Sequence, residues 1–177
     1  MPLRAALMLL FLALSASAAA EKAISPDWTL PDIDGETVRL SDAVSERPVV
    51  LLFWATWCPF CKALMPHLQS IGIEYGDSVD ILALHFRDDG DPVAFVRGRG
   101  YDFRLLPEAG SVAELYGVHS TPGVVIVDGE RMIRFNLYDL PRPNVPDAVK
   151  AEGRTAIAGF LAPYWAAEIR RRLDELL

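Results

Sequence analysis

Cys58 and Cys61 are the only cysteines in a chain of 177 residues, and they stand with two residues between them in "LLFWATWCPFCKALMPHL". A pair at this spacing can staple a loop, ligate a metal, or cycle between dithiol and disulfide. A staple is disfavoured, because the loop it would close is tiny and the stabilisation grows with loop length. A zinc site needs a second ligand pair, yet His67, His85 and His119 are scattered singly. A c-type haem site needs histidine directly after the second cysteine, and Lys62 is there. The redox couple remains, a chemistry that needs neither metal nor bound cofactor.

The elements around the pair suit that chemistry. "PVVLLFW" is a short, nearly continuous apolar run with β-branched and aromatic residues, as expected of a buried central strand. From Cys61 the pattern turns helical, with Leu64, Leu68 and Ile71 on one face and an end expected between Gly72 and Gly76. Cys58 then falls at a strand-to-helix junction, with Pro59 in the first helical turn where its missing N–H costs nothing. The positive end of the helix dipole stabilises a thiolate there. Cys58 is expected to be the acidic, exposed nucleophile, and Cys61 the buried thiol that resolves the mixed disulfide.

The chain opens on Arg4, an apolar run from Ala5 to Leu14, and then "SASAAAEK". This is the pattern of a secretory signal peptide, with an A-x-A site at Ala18 and Ala20. Cleavage is expected after residue 20, with cleavage after Ala18 the close alternative. The strongly apolar part is only about half of the roughly 20 residues that a membrane span needs. Residues 21–177 are then one exported domain, not membrane-spanning once the leader is removed. Acidic residues number 24 against 17 basic, a net charge of −7 that becomes −8 when Arg4 leaves with the leader. Nucleic acid is therefore a disfavoured partner.

"FWATWCPFCK" and "YGVHSTPGVVIVD" together resemble the thioredoxin superfamily, and most closely the TlpA-like thioredoxins of the bacterial periplasm. The resemblance covers about residues 26–128 and resumes in the C-terminal helix. It implies an α/β thioredoxin fold, a central mixed β-sheet flanked by helices on both faces, with an N-terminal β-hairpin extension. It also implies a periplasmic thiol–disulfide oxidoreductase that reduces cysteines of exported proteins or of apocytochromes during cytochrome c maturation. Its partners would be protein thiols and disulfides and a membrane electron-donor protein. A disulfide-donating oxidase and a non-catalytic binding module are the alternatives. A peroxidase is disfavoured, since peroxiredoxins carry threonine three residues before the nucleophile, and Ala55 is there.

The same resemblance makes Thr121-Pro122 the superfamily's cis-proline, facing the cysteines and pairing with the substrate chain. Taken alone, the dipeptide reads as an ordinary trans bond entering an edge strand. Trp57 becomes an apolar platform for substrate, and Pro59 and Phe60 tune the couple, with Phe60 pointing outward. His119, three residues before Pro122, would line the rim of the substrate groove, where an imidazolium could contact an acidic substrate or stabilise the thiolate. His85 ends a second buried strand, "VDILALHF", and is either a hydrogen-bonded core histidine or a member of the site. His67 reads as a surface residue or a packing residue beside Pro66, on another helical face. Two acids usual in such proteins are missing: Leu52 occupies the position of the buried aspartate, and Leu64 that of the glutamate three residues past the second cysteine. Either would help Cys61 lose its proton.

The remaining pattern supplies a hairpin around Asp34-Gly35, a helix after it capped by Ser41 or Asp42, and a helix from Asp91-Pro92 to about Arg99. A short helix capped by Ser111 and a hairpin turned at Asp128-Gly129 come next. "YWAAEIRRRLDELL" closes the chain as an amphipathic helix with Trp165, Ile169, Leu173 and Leu176 on one face. Residues 137–162 form an extended connection or insertion. They either fold over the edge of the active site or form a helix over about 147–161 packed on the sheet edge.

Overall fold

The computed structural model describes residues 23–177, and the expected leader lies outside them. Thr29–Pro31 (β1) and Thr37–Arg39 (β2) pair antiparallel around the Asp34-Gly35 turn. One Asp32 carboxylate oxygen accepts the Asp34 and Glu36 N–H groups at 3.0 and 2.9 Å, and Gly35 takes the positive φ of +82° that the turn requires. Leu40–Glu46 (α1) follows directly, but neither Ser41 nor Asp42 caps it. The cap position is Arg39, without a side-chain bond, and the Ser41 N–H is taken by Asp27 Oδ1 at 3.0 Å from 14 residues upstream. Asp27→Ala should lower stability by about 1 kcal/mol, as loss of an ordinary cap does. The shift would be read as a lower denaturant midpoint at unchanged slope.

Five strands build the main sheet: Val49–Trp54 (β3), Asp80–His85 (β4), Arg104–Leu106 (β5), Gly123–Val127 (β6) and Ile133–Asn136 (β7). Their order is β5-β4-β3-β6-β7, with β3, β4 and β5 parallel and β6 and β7 antiparallel to their neighbours. β3 is central and buried throughout, which is why it is apolar at every position rather than alternating. Successive residues nevertheless serve opposite faces. Val50, Leu52 and Trp54 pack with Pro59–Tyr75 (α2), Pro92–Arg97 (α3) and Arg154–Asp174 (α6), whereas Val49, Leu51 and Phe53 pack with α1, Gly110–Leu115 (α4) and Trp28.

Several boundaries differ from expectation. Ser111 lies inside α4, whose cap position is Ala109 with no side-chain bond. Asp91 does cap α3, accepting the Ala94 N–H at 2.9 Å, but the helix ends at Arg97. The closing helix starts ten residues before Tyr164, at Arg154. Its buried face begins with Ala158, Ala162 and Ala166, small residues that let α6 lie close against α2, and runs on through Ile169 and Leu173. The continuous helix expected over about 147–161 is instead broken. Asp147–Ala151 (α5) stops before Gly153, whose φ of +95° suits glycine alone, and α6 restarts beyond it.

Candidate active site

Cys58 occupies the cap position of α2, still extended at φ −77° and ψ 113°, so its side chain faces the helix's first N–H groups. Its Sγ accepts the Cys61 N–H at 3.2 Å. On the other side the thiol donates to the Thr121 carbonyl at 3.4 Å, and the Thr121-Pro122 bond is cis. Strand β6 begins just after this bond and pairs with β3, which fixes residues 121 and 122 against the motif. The hydrogen bond with the Cys61 thiol lowers the Cys58 pKa to about 6 against the opposing effect of burial. The Thr121 side chain and the N–H groups of Cys61 and Phe60 add to the lowering. Burial pushes the Cys61 thiol up, and the neighbouring Cys58 sulfur pushes it further. One thiol is thus ready at neutral pH while the other keeps its proton until it acts.

Thiolate absorbance of the reduced protein should accordingly titrate with a midpoint near pH 6 rather than the ordinary 9.0, and Cys58→Ser should abolish the transition. Because the folded-state pKa is depressed, the thiolate stabilises the reduced fold fully above the ordinary thiol pKa. That stabilisation is lost as pH falls through about 6. The reduced protein should therefore gain stability between about pH 6 and 9 by an amount that the disulfide form does not show.

Cys58 is less accessible than expected. Only 1% of its surface is exposed, while the adjacent Trp57 is 56% exposed. The thiol is enclosed by the Thr121 carbonyl on one side and by the first turn of its own helix on the other. Trp57 is held by its Nε1–H, which donates to the Arg87 carbonyl at 3.3 Å. Arg87 adopts a left-handed φ of 57°, and its Nη1 donates to the His119 carbonyl at 3.1 Å. One residue therefore ties the loop before Cys58 to the loop before Pro122. His119 itself is exposed, on the groove side of that loop.

His85 is a buried, hydrogen-bonded histidine: its Nε2 lies 3.0 Å from Asp88 Oδ2, and its ring stands edge-on to Trp54 at 5.1 Å. Asp88 also accepts the Thr56 N–H, two residues before Cys58, and the Gly90 N–H at 2.8 Å. Burial opposes ionisation of this carboxyl, yet the bonds from Thr56, His85 and Gly90 outweigh it and hold it far below the ordinary range. Leu52 and Leu64 are fully buried apolar residues, so neither supplies an acid. Arg87 and Asp88 escaped sequence reasoning because they belong to no motif. Asp88, three residues beyond a strand-end histidine, was the available signal.

Phe60 is half-buried rather than turned outward, its ring 6.2 Å from Trp165 of α6. Together with Thr121 and Pro122 it borders a cavity of about 580 Å³. The far wall is the Pro-rich connection after β7, which brings Leu140, Pro141 and Arg142 alongside. Tyr138 anchors this connection, its hydroxyl donating to the Ser120 carbonyl. Residues 137–162 thus comprise an extended border to the groove followed by α5 and the start of α6. His67 is half-buried on α2, away from this edge. Among the described residues no cluster of three or more His, Cys, Asp or Glu side chains could hold a metal, and no helix is long and apolar enough to cross a membrane.

A mixed sheet carrying a C-x-x-C pair at a helix N-terminus, opposite a cis-proline, defines a thioredoxin-fold protein. The AhpC/TSA family model matches residues 22–136, and the chain belongs to that family as a TlpA-like redoxin of the thioredoxin superfamily. It is 31% identical over 114 residues to the thioredoxin-like protein YneN of Bacillus subtilis, a match covering 62% of this chain and 66% of YneN. To the thiol-disulfide oxidoreductase ResA of Halalkalibacterium halodurans it is 30% identical over 117 residues, covering 64% of this chain and 65% of ResA. The chain thus spans just under two thirds of the length of these curated relatives. Among solved structures, the pneumococcal exposed lipoprotein thioredoxin Etrx1 of Streptococcus pneumoniae is 30% identical with a TM-score of 0.55, covering 72% of this chain and 97% of that one.

Proposed function

We propose that this chain is an exported, periplasmic thiol–disulfide oxidoreductase that reduces disulfides of exported proteins or apocytochromes and is recharged by a membrane electron donor. The observation that carries the reading is the asymmetry of the pair: Cys58 is lowered to about 6 at a helix N-terminus, while Cys61 is raised and buried one turn inward. The Cys58 thiolate attacks one sulfur of the substrate disulfide. That S–S bond breaks, a mixed disulfide forms, and the departing substrate sulfur takes up a proton. Cys61 then gives up its proton and attacks the Cys58 sulfur, closing the Cys58–Cys61 disulfide and releasing the second substrate thiol. Two electrons pass to the substrate, and the membrane donor restores the dithiol.

Trp57 is the exposed aromatic beside Cys58, Thr121 presents its carbonyl to the thiol, and Pro59 starts the helix that stabilises the thiolate. The relatives' names, thiol-disulfide oxidoreductase among them, support the same activity. A second reading, donation of the disulfide to folding proteins, draws on the same lowered pKa, since strong disulfide donors hold their thiolate at about 3.5 and thioredoxin at about 7. A value of about 6 lies nearer the reductant. Equilibration against glutathione, with mass-tagging of free thiols, decides between them. A potential near or below about −270 mV supports the reductase, and one near about −120 mV overturns that direction of electron flow.

A further inference from the structure

The groove beside the dithiol has a chemistry that disulfide exchange alone does not require. Phe60 from the motif and Thr121 and Pro122 from the opposing loop line it, so it adjoins the Thr121 carbonyl that meets the Cys58 thiol. Pro141, Leu161 and Trp165 give it an apolar lining. At about 580 Å³ it falls within the roughly 300–1,000 Å³ of cavities that enclose ligands, enough for a large side chain and its neighbour.

Its charge runs against that of the whole protein. Acidic residues outnumber basic ones 24 to 17, yet among the described residues no aspartate or glutamate lines the groove, whereas Arg142 does. Arg154 adds a further cation, its guanidinium 5.7 Å from the centre of the Phe60 ring. Arg87 holds another at the His119 carbonyl. Asp139, next to Tyr138, is exposed and outside the lining. A cationic rim around an apolar pocket attracts a carboxylate and repels lysine or arginine.

The geometry points to a substrate segment in which a large apolar residue flanking the reacting cysteine fills this groove and a neighbouring aspartate or glutamate meets Arg142. The inference deepens the dithiol-exchange reading and rests on it. The connection after β7, which turns Pro141, Arg142 and Pro143 toward the motif, is the element that sets this selectivity. The rim charge is open to solvent, so it discriminates between substrates more than it adds affinity.

The test uses three short peptides, each with one cysteine in mixed disulfide with a small neutral thiol. One carries Phe and Asp beside the cysteine, one Phe and Lys, and one Gly and Asp. The Phe–Asp peptide should exceed the Phe–Lys peptide in kcat/KM by about fivefold, the scale of one exposed charge pair. The Gly–Asp peptide should fall below both. Arg142→Glu should invert the Asp-to-Lys ratio, and Arg142→Gln should bring it to about one, in keeping with a repulsive element replacing an attractive one. Ratios taken within each protein cancel any change in overall turnover. Equal use of all three peptides, or an Asp-to-Lys ratio that neither substitution moves, overturns the inference. Hydroxyethyl disulfide separates the two layers. If the wild-type protein reduces it while showing no peptide preference, the groove assignment alone fails. If the wild-type protein is no faster than Cys58→Ser on it, the exchange reading fails and the groove assignment falls with it.

Discussion

Cys58→Ser is expected to reduce disulfide-reductase turnover by about 10³-fold or more, the scale on which loss of an acting nucleophile is felt. The reason lies in the asymmetry of the pair. Serine cannot form the mixed disulfide, and Cys61 cannot replace Cys58, because burial holds its proton on and places it one turn inside the helix. Cys61→Ser should behave differently. Its Cys58 still attacks, but nothing resolves the adduct, so the protein should accumulate in covalent linkage to substrate, visible as a mass increase that a reductant removes. Insulin reduction coupled to dithiothreitol, followed beside intact-protein mass spectrometry, checks both variants together. Undiminished biological activity in Cys58→Ser would make the cysteines incidental and favour a binding module.

Phe53→Ala should cost about 3–5 kcal/mol, the range for removing a fully buried phenylalanine. Phe53 sits in the central strand with no exposed surface, its ring edge-on to Phe86 at 6.3 Å and tilted on Tyr116 at 5.4 Å. That face of the sheet is closed by short elements, α1, α4 and the segment around Trp28, with no long helix among them. A void there has few neighbours able to shift as a unit and refill it. Against a typical total of about 5–15 kcal/mol, the loss takes a large share of the stability. A denaturant titration should show a much lower midpoint, while the folded fraction keeps its thiol transition near pH 6, because Phe53 faces away from the motif helix.

The parts of this molecule legible in the sequence are those whose determinants are local. β3 announces itself by an unbroken apolar run, α2 by its stripe and by Pro59, and both hairpins by Asp-Gly turns. β5 was missed because three residues, "RLL", are too few to show a period. The first part of α6 was legible only as one of two readings of residues 137–162, because alanines 158, 162 and 166 mark a buried face by being small rather than by being strongly apolar. The cap on α1 comes from Asp27, which only tertiary structure brings there. Within the site, the cysteines, the Thr-Pro pair and the rim position of His119 were readable from spacing and resemblance. The burial of Cys58 and the Arg87 and Asp88 connections were not, since each depends on loops that meet across the sheet edge.

The alanine face of α6 bears on the order in which the chain becomes usable. The motif helix is made some eighty residues ahead of the helix that covers it. Until the last residues of the chain are in place, α2 would leave part of its apolar side open to solvent. That side closes when the final helix lays its alanine edge against α2. The core around the motif helix is therefore completed late in folding, by the last element the chain supplies.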